Sequence, residues 1–459
     1  MSSQFEEQIT KIYKEKELYG DFIFAVVNED GLAYSFAMNR DILEGRESSL
    51  DNDSPLYIAS HTKSFTATLL KIMEENGELD LNSSLAENLP ELNYNDGVDT
   101  KTIRLKDLLN HTHGTFSTRF TWKSAFLGYG GENSELISDL NNDFIVDPSR
   151  TFRYSNVGPI IASMVVDKTS GSSWKKELEE HVFLPLHMDH TSAYVSDFKF
   201  DEIRPSVTAS QERGIVEAGF YKKDITMHAS GGVISTINDL SSWLKANIEQ
   251  DENLMSKEGW SALHTSTTTQ DKTYFTYQRT GYSLGWDIAE YNDEAILTRF
   301  GGLGGISFHI SFMPEKNLGI IAFSSDNRAS LLPHLMANYA YNVINSSEAD
   351  SLFKEEEQTF NKSFEAKNKI VYSDEEDLLE LNTESESMLG VYENDLGWPT
   401  ITVEAKADHM ILRWGELDGP IYKTEGEEYL GELGVLSREF KIQNDTLLTG
   451  SLIYTKIKV

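Results

Sequence analysis

The sequence predicts an α/β (α+β) domain followed by a small all-β, barrel-like module. The domain's antiparallel sheet comes from both of its ends and packs on an inserted helical region. Three observations predict this. Strand-like runs at 21–27 and 31–37 flank the turn Asn28-Glu29-Asp30, and two more, at 306–312 and 318–323, lie far downstream. Between them the chain is rich in helix and loop signals. Beyond residue 387 it breaks into short alternating segments.

The elements follow in order. An amphipathic stretch from about Phe5 to Leu18 precedes the first strands. An apolar-periodic helix begins at Ser60, runs to about Glu75 and stops near Asn76-Gly77, where glycine suits a C-cap. Further helical patterns fall near 105–110, 160–169, 173–182 and 237–248, and one at 331–344 ends the main domain. The expected division is 1–345 for this domain, 346–386 for an acidic, partly helical linker and 387–459 for the β module. The linker carries Glu355-Glu356-Glu357 and Asp374-Glu375-Glu376-Asp377. The module's alternating runs include Thr400–Val403, Met410–Trp414, Phe440–Ile442 and Leu452–Tyr454.

Composition removes several function classes. The 459 residues contain no cysteine, which excludes thiolate catalysis, disulfides and cysteine-ligated metal. A formal charge of −34 argues against nucleic acid or an anionic membrane as partner, because phosphate binding needs clustered cations. The polar, acidic start lacks a basic, apolar signal pattern. The expectation is a soluble, cytoplasmic protein, although a chain shorn of a signal would read the same.

Three motifs carry chemistry. In Ile58-Ala59-Ser60-His61-Thr62-Lys63, a serine and a lysine three residues apart share one helix face, about one turn from each other. The amine can take the hydroxyl proton, and the helix N-terminus favours the charge that develops during attack. In Phe152-Arg153-Tyr154-Ser155-Asn156-Val157-Gly158, Tyr154 offers a phenol for proton transfer and Asn156 an amide to hold the lysine or a substrate carbonyl. In Arg299-Phe300-Gly301-Gly302-Leu303-Gly304-Gly305, a cation stands beside flexible backbone whose N–H groups can face an oxyanion. Those glycines are followed by no P-loop lysine, so phosphate binding is set aside. His111 and His113 alternate on a loop and read as structural rather than as zinc ligands, and no metal or cofactor is expected.

Taken in this order, the motifs resemble those of the serine β-lactamase and penicillin-binding-protein superfamily. The likeness is to its branch of class C β-lactamases, D-stereospecific peptidases and related esterases, which carries Ser-x-x-Lys, Tyr-x-Asn and then Lys-Thr-Gly or His-x-Gly. Supporting likenesses are Leu108-Leu109-Asn110-His111-Thr112-His113-Gly114, Phe183–Met188, Ser230–Thr236 and Phe312–Gly319. The resemblance spans roughly 15–345, and the tail from 387 looks like the lipocalin-like module of some members. It implies an acyl-enzyme on Ser60, with Lys63 as base and Tyr154 sharing proton transfer. Asn156, Arg299, Gly301 and Gly302 would serve substrate binding and the oxyanion, the latter through the backbone N–H groups of Ser60 and Gly302. The implied reaction is hydrolysis of an ester or amide in a small molecule or short peptide, of esterase or D-peptidase type, with no cofactor. Arg299 stands where relatives carry Lys or His; its pKa is too high for proton shuttling, which weakens the case for a true β-lactamase. Phe300 is expected to line or shrink the acyl pocket, whose shape depends on loops 115–147 and 205–228. Two readings stay open: a serine hydrolase, or a catalytically silent relative that binds a peptide or metabolite or serves in an assembly. Homo-oligomerisation is left open as well. Ser325-Asp326-Asn327 also spells a class A motif, but it follows the third motif and reads as a turn.

Overall fold

The computed structural model describes residues 2–40, 50–210, 214–217, 221–345, 348–368, 377–424, 426–434 and 436–457. The acidic residues Asp374, Glu375 and Glu376 of the expected linker lie outside them. An eight-stranded antiparallel sheet organises the main domain. Its strands are β1 (Gly20–Asn28), β2 (Gly31–Arg40), β3 (Thr268–Tyr274), β4 (Tyr277–Tyr282), β5 (Asp287–Tyr291), β6 (Glu294–Leu303), β7 (Ile306–Met313) and β8 (Leu318–Ser324), in spatial order β2-β1-β8-β7-β6-β5-β4-β3. The two ends of the domain meet where β1 pairs with β8, Phe24 opposite Ala322.

The downstream end supplies six strands where the sequence predicted two. β3 explains the miss: Thr268–Tyr274 is polar and largely exposed, an edge strand without apolar alternation. The third motif corrects likewise. Arg299 to Leu303 form the end of β6 itself, regular strand where the motif suggested flexible backbone.

Both faces of the sheet are covered, so β1 is buried along nearly its whole length. Ile23, Ala25 and Val27 point into a core shared with the helical region. Phe22, Phe24 and Val26 point the other way, against α1 (Ser2–Glu15), α5 (Leu332–Asn345) and α6 (Ala349–Lys367). The helical side includes α2 (Thr62–Glu75), α3 (Val157–Ser170) and α4 (Ile237–Glu249). α6 occupies part of the stretch expected as linker, yet it is docked on the sheet. Phe353, Phe360 and Phe364 enter the outer core, and Glu356 is buried with them.

Eight short strands, β9–β16, running from Gly390–Glu393 to Leu452–Lys456, close into an antiparallel barrel through pairing of the first with the last. Closure removes the exposed edges that an open sheet of this size would present. The barrel has its own core, built around Tyr392, Trp414, Phe440 and Tyr454. One member of that core, Leu127, comes from the main domain.

Candidate active site

Ser60 lies in a single 3₁₀ turn, Ala59–His61, immediately before α2. The turn is bent at Ala59, whose φ of 50° is left-handed and costs about 1–2 kcal/mol for a residue with a Cβ. Neighbouring backbone holds it there. The Ile58 N–H donates to the Val233 carbonyl at 3.1 Å, and β6 presses on the turn from the sheet. At Gly301 a Cβ would stand 2.7 Å from the Ile58 carbonyl oxygen, so the close approach of β6 requires glycine.

Lys63, one turn along α2, is 2% exposed. Its ammonium donates to Ser60 Oγ at 3.2 Å, to Asn156 Oδ1 at 2.8 Å and to the Ser230 carbonyl at 2.7 Å. Three donors meet three acceptors. Asn156 stands at the start of α3, and its own carbonyl accepts from Ser230 Oγ at 2.6 Å, tying two of these partners together. Burial lowers the Lys63 amine to about 8; the positive Arg299 pushes the same way, and Tyr154 and Asp287 oppose it.

Tyr154 brings its ring within 4.8 Å of Lys63 Nζ and 4.5 Å of the Arg299 guanidinium. Burial of the phenol group would raise its pKa, but Arg299 and Lys63 outweigh that, with hydrogen bonds from Lys63 and Ser60, and bring it below 10. His111 sits behind it, ring centroids 4.7 Å apart, and also touches Tyr282 at 4.8 Å. Burial holds His111 neutral, reinforced by the charges of Lys63 and Arg299. His113 is buried as well and contacts Thr115. Among the described residues no cluster of His, Asp and Glu is arranged to hold a metal.

Arg299 is 4% exposed, and its guanidinium donates to Asp287 Oδ2 at 2.8 Å and Tyr282 Oη at 3.3 Å. Arg299 therefore both lines the cleft and is tied to Asp287 by a buried ion pair. Phe300, the next residue along the strand, points to the opposite face. It stacks on Tyr274 at 4.1 Å and packs against His334 in the outer core, and it also lines the cleft, as the sequence suggests. Asp326 caps the turn Asn327–Ala329 and pairs with Arg328, as a turn motif would.

Ser60, Tyr154, Arg299, Gly301 and Gly302 open onto one cleft of about 590 Å³. Phe126, Phe152, Tyr274 and Phe300 supply aromatic wall, and Arg279, Asp287 and Lys367 join them. Sequence reasoning missed Phe126, Asp287, Lys367 and the Ser230 carbonyl. Only Ser230 had a signal, as the first residue of Ser230–Thr236. The others come from segments whose local pattern says nothing about the cleft. Of loop 205–228, residues 211–213 and 218–220 lie outside the described residues.

A family model described as Beta-lactamase matches residues 13–337. An unguisins hydrolase of Aspergillus campestris is 22% identical over 295 residues, 61% of this chain and 54% of that protein; the chain spans about half the length of the curated relatives it matches. Among solved structures, the octameric penicillin-binding protein homologue from Pyrococcus abyssi superposes with a TM-score of 0.65 at 20% identity, over 99% of this chain and 100% of that one. The D-amino acid amidase from Ochrobactrum anthropi gives 0.58 at 16% identity, over 70% and 92%. These structures share the fold. With the family model matched across well over half of its length, this chain belongs to the beta-lactamase family.

Proposed function

We propose that the chain is a serine hydrolase that cleaves an ester or amide through an acyl-enzyme on Ser60. The observation that carries this is the set of partners around Lys63. Asn156 Oδ1 and the Ser230 carbonyl can only accept, so they retain two N–H groups whether or not the amine is charged. The third direction faces Ser60, whose hydroxyl can also donate. Once Lys63 is neutral, its lone pair points at that hydroxyl, and the lowered pKa makes the neutral form accessible near neutrality.

In the proposed reaction, Ser60 Oγ forms a bond to the substrate carbonyl carbon and its proton passes to Lys63, with Tyr154 sharing the transfer. The carbonyl oxygen takes the negative charge against the Ser60 and Gly302 N–H groups. As the bond to the leaving group breaks, the leaving group receives the proton, with Tyr154 as relay. Water then repeats the sequence on the acyl-enzyme. Three cations, Arg279, Arg299 and Lys367, line the cleft together with one carboxylate, Asp287, in a chain of charge −34; this favours a substrate carrying an anionic group. The neighbouring D-amino acid amidase supports amide chemistry, and the unguisins hydrolase supports hydrolysis.

One observation favours a second reading, a binding protein without turnover. The cation of the third motif is an arginine held by Asp287, unable to exchange protons. Intact-mass measurement after exposure to a fluorophosphonate, a penicillin and p-nitrophenyl acetate separates the two. A single adduct absent from Ser60→Ala supports the hydrolase. An unchanged mass with all three reagents and no ester turnover supports the binding protein.

A further inference from the structure

Phe126 lines the cleft beside Ser60, and the chain around it is gripped by the barrel. Phe126 packs on Trp122 with centroids 4.9 Å apart, Trp122 lies parallel to Trp414 of the barrel core at 6.4 Å, and Trp414 meets Trp398 at 5.6 Å. Leu127, next to Phe126, is 1% exposed and is counted among the barrel's own core side chains. The Leu127 carbonyl accepts the Glu416 N–H at 2.8 Å, from the turn between the two barrel strands His409–Trp414 and Leu417–Lys423. At Gly415, φ is 58° and a Cβ would lie 2.0 Å from that carbonyl oxygen, so the contact depends on glycine. The grip extends backwards along the segment: the Arg119 guanidinium donates to the Leu396 carbonyl of the barrel. On its other side, the buried Lys222 fixes the Ala125 carbonyl at 2.7 Å.

We propose that Phe126 is a specificity-determining residue and that the barrel sets its position. On the serine hydrolase reading, on which this inference rests, Phe126 and Phe152 form an apolar wall beside Ser60 that selects aromatic or bulky apolar acyl groups. The barrel then acts on catalysis at a distance, as the template for one wall of the acyl pocket. A segment fixed by a tryptophan stack, a buried leucine and a backbone hydrogen bond presents a rigid aromatic face. Without that support the same segment is two short consecutive helical turns, Thr118–Trp122 and Lys123–Leu127, that lose their clamp on the barrel side.

The test compares kcat/KM for p-nitrophenyl phenylacetate and p-nitrophenyl acetate in the full chain. Fluorophosphonate labelling of Ser60 is followed in parallel. Phe126→Ala is expected to lower the phenylacetate-to-acetate ratio by about tenfold or more, the scale of a lost apolar pocket contact. Gly415→Ala, outside the cleft lining, is expected to lower the ratio in the same direction while acetate turnover and labelling persist. Gly426→Ala, a barrel position where a Cβ meets nothing within 4 Å, serves as the control and should leave the ratio unchanged. If Gly415→Ala does not fold, Trp414→Phe keeps an aromatic barrel core while withdrawing the indole from Trp122, and its ratio is read the same way. An unchanged ratio in Phe126→Ala overturns the pocket role, and an unchanged ratio in the folded barrel variant overturns the barrel's part. Either result with Ser60 still labelled leaves the hydrolase reading standing; absence of labelling and turnover in the wild type removes both.

Discussion

Lys63 and Lys222 are both buried lysines with depressed pKa values, about 8 and about 7, and burial is the largest cause for each. Lys222 donates to two backbone carbonyls, of Ala125 and Thr226, and its third side lies 5.3 Å from the centre of the Phe126 ring. Lys63 also holds two partners that can only accept, but its third side meets a hydroxyl that opens onto the cleft. The comparison shows that a shifted pKa does not identify a base. Among the described residues, the hydrogen-bond partners of Lys222 Nζ are carbonyl acceptors with no proton to give, whereas neutral Lys63 faces a hydroxyl. On the proposed mechanism, Lys222 is a bracket beneath Phe126 and Lys63 is the base.

Four measurements would break or sharpen that contrast. Lys63→Met should cut the acylation rate of Ser60 by about 10²–10⁴-fold, the range for removing a general base. A labelling rate within tenfold of wild type would put Lys63 in the same class as Lys222. Asp287→Asn leaves the Arg299 charge buried without its carboxylate. Urea denaturation should register a loss of about 3–5 kcal/mol, the cost of breaking a buried pair on one side. The same change removes a negative charge that raises the Lys63 pKa, so the pH limb of acylation should move to lower pH. Lys222→Met strands the Ala125 and Thr226 carbonyls and should cost about 1–3 kcal/mol in stability. Loss of acylation as complete as in Lys63→Met would contradict its assignment as a bracket. Glu416→Ala removes only the partly exposed pair with Lys223 at 2.8 Å and should change stability by less than about 1 kcal/mol.

The pH dependence carries a definite sign. Wild-type acylation should climb as pH rises through about 8, where Lys63 loses its proton. For stability, the unfolded lysine titrates near 10.5 and the folded one near 8, so the unfolded state binds more protons between those values. Stability from this group therefore increases with pH across that window. Lys222 contributes in the same sense from about 7 to 10.5, and Lys222→Met should flatten its part of the rise in a series of denaturation curves.

Much of the candidate site was legible because its pieces are local. Ser60 and Lys63 sit one helical turn apart, Tyr154 and Asn156 two residues apart, and Gly301 and Gly302 in one strand. Their order along the chain carried the family resemblance. Asp287 was not legible, although it is close in sequence to Arg299, because the hairpin that joins them was missed. In β5 and β6, Asp287 lies opposite Thr298, which brings its carboxylate alongside Arg299. α6 misled for a different reason. Its three phenylalanines at Phe353, Phe360 and Phe364 form a narrow stripe among Lys and Glu, too thin to suggest a helix docked on the sheet. Phe300 lines the cleft as expected, but its packing in the outer core was not legible, because strand alternation turns it to the face opposite Arg299.

By itself the sequence determined the fold class, the spacing of Ser60 with Lys63, the two further motifs and the chemistry that those residue types permit. Local geometry suffices for that, since helical and strand periods fix which neighbours share a face. Only the tertiary structure decided which buried lysine faces a hydroxyl, which carboxylate holds Arg299 and which side of β6 receives Phe300. It alone seated Leu127 in the barrel core and brought Phe126 to the cleft. Those outcomes depend on where separate segments meet, and a side chain's partners across a cleft are set by packing between segments rather than by the pattern within any one of them.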